Sequence, residues 1–102
     1  MMELRYLLPA EEEMTEAAIF FENQAVGLGA EFLDEIERTI EKIQRHPEIG
    51  PVVVDDLRRC LLVRFPFSLI YSLEPDGLLI VAVAHQRRRA NYWRKRVRPG
   101  AL

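Results

Sequence analysis

Three consecutive arginines, Arg87, Arg88 and Arg89, stand between His85 and the run Asn91, Tyr92 and Trp93. A guanidinium makes forked hydrogen bonds to phosphate or carboxylate and also stacks on flat rings. Arginines beside two large amphipathic rings are therefore a recognition chemistry, suited to phosphate, nucleobases or a partner's carboxylates. His85 adds an imidazole whose ordinary pKa of about 6.5 suits proton transfer at neutral pH, or a group that caps a strand end or hydrogen-bonds Tyr92. Exposed charge is the usual state of a surface loop, so the same segment also reads as a solvated turn with Trp93 folded back on the core.

The run before it, Leu78 to Ala84, is apolar and β-branched and far too short to span a bilayer. It is expected to be a strand buried on both faces, the middle strand of a sheet. Leu57 to Phe65 alternates, with Leu57, Arg59, Leu61, Val63 and Phe65 expected on a mostly apolar face and Arg58, Cys60, Leu62 and Arg64 on a mixed one. Pro66 breaks the run, and alternation resumes through Phe67, Leu69, Tyr71 and Leu73. Pro75-Asp76-Gly77 predicts a turn in which glycine takes a positive φ. Tyr71 and Cys60 are expected to pack the sheet. Val52 to Val54 fit either an edge strand or the core.

Upstream, Met2 to Leu8 alternates as a short strand that Pro9 ends. Proline opens a helix well, and Glu11, Glu12 and Glu13 lie where the helix dipole favours anions. Met14, Ala17, Ala18, Phe21 and Ala25 form one apolar stripe, and Gly27 and Gly29 mark a turn into a second helix. That helix should face inward with Phe32, Leu33, Ile36, Ile40 and Ile43, carry Asp34–Arg38 and Glu41–Arg45 pairs, and end at His46-Pro47. The expected fold is α+β. A strand and an antiparallel helical hairpin come first, and the hairpin covers a small, largely antiparallel sheet in the order β-α-α-β-β-β.

A chain of 102 residues holds one domain, residues 1–102, with about 95–102 expected as a frayed tail around Pro99-Gly100. One cysteine and two histidines, with no CxxC or HExxH spacing, give no disulfide framework and no metal site, and no cofactor is expected. No secretion signal or membrane-length apolar run is present, so a cytoplasmic protein without membrane contact is expected. Residues 1–50 carry 12 acids and 4 bases (−8), whereas residues 51–102 carry 4 acids and 10 bases (+6). That dipole steers partners, but a pI near 5.7 argues against a generic nucleic-acid-binding domain.

HPEIGP followed by DDLRR, RFPFSLIY ahead of a hairpin, and AHQRRRANYW, in this element order, resemble the RelE/ParE toxins of bacterial type II toxin-antitoxin modules. The resemblance covers nearly the whole chain. It implies a growth-inhibiting toxin held in a hetero-oligomer by a cognate antitoxin that folds around it. The family's targets divide between DNA gyrase, bound by ParE-like members, and the ribosome, where RelE-like members cut mRNA. By resemblance, Arg87 matches a catalytic arginine of the nucleases, Tyr92 or Trp93 falls near their terminal tyrosine, and Arg59 matches another basic residue of that site. His85 joins these as a possible acid–base. Ser68 and Leu61 stand where the nucleases carry positive charge, and a lost transition-state donor costs about 10²-fold or more in rate. The ParE-like reading, with gyrase as target, is therefore preferred. On it Arg87, Arg88, Arg89, Tyr92 and Trp93 bind the target, and a member that binds antitoxin alone remains an alternative.

Overall fold

The computed structural model describes residues 2–97. Five strands and two long helices follow in the order β1 (Glu3–Tyr6), α1 (Leu8–Gln24), α2 (Leu28–Arg45), β2 (Val52–Val54), β3 (Leu57–Leu61), β4 (Phe67–Glu74) and β5 (Gly77–His85), closed by a 3-10 turn at Arg94–Arg96. The sheet order is β1-β5-β4-β3-β2. All its pairings are antiparallel except that of β1 with β5, which is parallel. The α+β fold with a helical hairpin on one face of a largely antiparallel sheet is as expected, with Val52–Val54 supplying an additional edge strand.

Several local expectations are corrected. β5 is buried along nearly its whole length, yet the middle strand is β4, because β1 adds itself outside β5. Leu8 is not in the first strand; it opens α1, with Pro9 at the first turn as expected. The face expected to be apolar in Leu57–Phe65 is divided: Leu57 and Phe65 are buried, but Leu61 and Val63 are not. Cys60 and Leu62 point into the helix-covered core, whereas Leu61 is 54% and Val63 83% exposed. Alternation alone could not choose, since both faces of LRRCLLVRF hold apolar residues and arginines. Among the described residues the Asp34–Arg38 and Glu41–Arg45 pairs are not within ion-pair distance, as exposed pairs gain little.

Two glycines are needed for different reasons. Gly27, at φ 86°, sits at the left-handed turn into α2, where its amide donates to the Glu22 carboxylate. Gly77 does not take a positive φ; it pairs with Glu3 of β1, and a Cβ there would lie 2.1 Å from the Glu3 carbonyl oxygen. The close approach of β1 sets this residue.

The core lies between the hairpin and one sheet face. Phe32, Ile36, Ile40 and Ile43 of α2 and Ala17 of α1 meet Leu69, Tyr71, Leu78, Ile80 and Val83 there. Leu33 is partly exposed and Ala25 lies beyond α1. Buried Tyr71 does more than pack. Its hydroxyl donates to the Pro47 carbonyl at 2.8 Å and accepts from the Gly50 amide at 3.0 Å, so it ties the HPEIGP loop to the sheet.

Among the described residues the opposite face is covered mainly by the segment around Trp93. Trp93 is 4% exposed and packs with Leu57, Ile70, Leu79, Val81, Ala82 and Ala84, with Tyr92, Val54 and Val97 around it. Of the tail expected over about 95–102, Arg96 is held by an ion pair with Glu13, next to Arg94 paired with Asp55, and residues 98–102 lie outside the described residues.

A cationic cleft at the end of the sheet

β4 and β5 run side by side up to the Phe67–His85 pair. Past His85 the chain turns over the open sheet face, with Asn91 at φ 63°, until Trp93 anchors it. Between this turn and strands β3 and β4 lies an open cleft of about 340 Å³. Its walls hold Arg59, Arg88, Arg89, His85, Gln86, Asn91 and Tyr92, and Leu61, Ser68, Ile70, Ala84, Ala90 and Trp93 complete the lining.

Most of the residues chosen from sequence are thus brought together. Arg59, distant in sequence, joins the cleft because β3 pairs with β4 at Arg59–Ile70. Arg87 does not line it; its backbone amide instead donates to His85 Nδ1 at 2.9 Å. Arg88 and Arg89 are the two of the three consecutive arginines that line the cleft. Trp93, expected either to bind a target or to fold back on the core, is 4% exposed with most of its surface against the sheet, and its remaining edge contributes to the cleft lining. Ser68 and Leu61 do lie in the lining, so the positions without charge belong to the same cleft.

His85 accepts the Arg87 amide at Nδ1, with its ring edge-on to Phe67 at 5.0 Å. Tyr92 is heavily engaged. Its hydroxyl donates to Glu13 Oε2 at 2.6 Å, and its ring lies between Arg88 at 3.8 Å and Arg96 at 5.1 Å. Burial, then the bond to Glu13 and its negative charge, raise the hydroxyl pKa far above the ordinary tyrosine value, with Arg88 and Arg96 only partly offsetting them. A phenol so held is a poor base.

From sequence Glu13 reads as a helix-dipole acid and Arg96 as part of the tail, yet the two organise this end of the molecule. β5 continues past the end of β1, so Val81 and Val83 lack strand partners on that edge. Glu13 accepts from the Val83 amide at 3.0 Å, and Arg96 donates to the Val81 carbonyl at 3.1 Å. The two side chains also form a two-pronged pair, each N–O distance 2.8 Å, with side chains 15% and 19% exposed. An acid in the first turns of α1 gave no sign of this, since the dipole accounts for it equally well. Burial raises the Glu13 carboxyl pKa, but the bonds from Arg96, Tyr92 and Val83 and the Arg96 charge outweigh it and leave a net lowering.

A lowered carboxyl pKa contributes stability that is present above the unfolded-state value and is lost as pH falls through the folded-state one. The stability advantage of the wild type over Glu13→Gln is therefore expected to be full at pH 7. It should fade once the pH drops below the ordinary glutamate value of about 4.3. Denaturant unfolding of both proteins from pH 7 to pH 3 checks this; a difference independent of pH would show that the charge on Glu13 is not what matters.

Among the described residues no helix is long and apolar enough to cross a membrane, and no three His, Cys, Asp or Glu side chains are grouped to hold a metal ion. The model for "ParE toxin of type II toxin-antitoxin system, parDE" matches residues 4–90. A solved structure described as "Chromosomal ParDE TA system from P. aeruginosa" is similar at a TM-score of 0.60 and 18% identity, over 83% of this chain and 96% of that one, a likeness of fold. A search of curated proteins finds no match. With the family model spanning both the helical hairpin and the strands that build the cleft, the chain belongs to the ParE toxin family of type II toxin-antitoxin systems.

Proposed function

We propose that the chain inhibits growth by binding a macromolecular target through the cationic cleft, with DNA gyrase the favoured target. A cognate antitoxin neutralises it in a cytoplasmic hetero-oligomer. One observation carries the preference for binding over turnover: the cleft has three guanidinium groups but little proton-transfer equipment. Its tyrosine hydroxyl is committed to Glu13, and Ser68 and Leu61 are neutral. Cleaving RNA needs a base for the 2′-hydroxyl, charge at the phosphorane and an acid for the leaving oxygen. Guanidinium groups supply the charge and anion recognition alone.

The rival, a ribosome-dependent mRNA endonuclease, rests on His85, an imidazole in the cleft lining beside Arg88 and Arg89. Inducing this chain without its antitoxin, with pulse labels for DNA and protein synthesis followed in parallel, separates the two. Early loss of DNA synthesis, together with cleaved DNA accumulating when purified chain meets gyrase and ATP, is the expected result. Early loss of protein synthesis with codon-positioned mRNA cuts would replace it with the nuclease reading. Unimpaired growth would leave a member that binds antitoxin alone.

A further inference from the structure

The cleft turn has few backbone restraints of its own. From Gln86 to Trp93 it is held by isolated bonds such as Gln86 N–H to the Pro66 carbonyl at 2.8 Å and Arg88 N–H to the His85 carbonyl at 3.0 Å, with no strand partner among the described residues. Trp93 anchors one end in the core. What fixes a cleft cation between these points is a relay of side chains. Glu13 Oε2 holds the Tyr92 hydroxyl, and the Arg88 guanidinium carbon lies 3.8 Å from the Tyr92 ring centre.

We propose that Glu13, on α1 outside the cleft, is a positioning residue for target binding: through Tyr92 it holds the Arg88 guanidinium stacked in the cleft before the target arrives. An arginine with free rotamers loses side-chain entropy on binding, whereas one already stacked loses less, so preorganisation raises affinity without any new contact. Glu13 is suited to this work because both its oxygens are engaged at once, Oε1 by Val83 and Arg96, Oε2 by Tyr92 and Arg96. Its position is thus set by α1, by β5 and by the 3-10 turn together. The inference rests on the proposal that the cleft binds the target, and the experiment separates failure of one from failure of the other.

The first readout is independent of any target. In wild type the Arg88 side-chain protons should show ring-current shifts from Tyr92 in NMR spectra. In Glu13→Gln these should fall about twofold or more, while Trp93 emission and cooperative unfolding remain those of a folded chain. Tyr92→Phe, which keeps the ring but loses the hydroxyl, should behave likewise. Unchanged Arg88 shifts in both variants would overturn the proposal. The second readout is growth inhibition at matched expression, expected to weaken about tenfold in Glu13→Gln. This loss should nearly vanish when Arg88→Ala is already present, since residues acting through one another are non-additive. Additive losses would assign Glu13 a general stabilising role and overturn the proposal. If the shifts collapse but potency is unaffected, Glu13 positions Arg88 and the cleft reading is what fails.

Discussion

Replacement of Trp93 by alanine is expected to cost about 3–5 kcal/mol of folding free energy, the range for truncating a large buried aromatic. The helical hairpin covers one face of the sheet, and on the other Trp93 is the large side chain laid against Ile70, Leu79, Val81, Ala82 and Ala84. Its removal exposes that apolar face and releases the turn that ends there. A total stability of about 5–15 kcal/mol leaves little margin for such a loss. Urea unfolding measures it, and Trp93→Phe should recover more than half of the difference because a ring still fills the site. Were Trp93→Ala as stable as wild type but no longer toxic, the indole would be a target contact, as its sequence neighbourhood had implied.

Arg88→Ala is expected to weaken target binding by about 10- to 100-fold, the loss typical of an arginine at the centre of an interface. Its fold should barely change. Arg88 is exposed and its stacking on Tyr92 contributes about 0.5–1 kcal/mol at a surface site. Arg87→Ala is the informative companion. Arg87 is also exposed but does not line the cleft, so the variant should retain most of its potency. Dose–response curves for growth inhibition at matched expression compare the three proteins. Arg87→Ala losing more than Arg88→Ala would favour the nuclease assignment that resemblance gave Arg87.

The same contrast shows how far the sequence reached into the site. It identified the arginine segment, and Arg59 through resemblance, but not which of three adjacent arginines would line the cleft. That choice follows from the turn between His85 and Trp93, where Asn91 takes a positive φ and Trp93 is drawn into the core. Glu13 and Arg96 were invisible for a related reason. They are 83 residues apart, and each has an ordinary local explanation, one as a helix-dipole acid and the other as part of a frayed tail.

What the sequence determined by itself was local. The 3.6-residue stripe of α2, the stop at His46-Pro47, the apolar run of β5 and the tight hairpin before it each follow from the dihedral preferences and side-chain periodicity of neighbouring residues. The tertiary structure alone decided that β1 joins β5 in parallel and makes β4 the central strand. It also decided which face of β3 is wet, and that the chain's end seals the open sheet face through Trp93, Tyr92 and Arg96. Those outcomes depend on which apolar surfaces and unpaired backbone groups meet after collapse, and residues distant in the chain supply the partners.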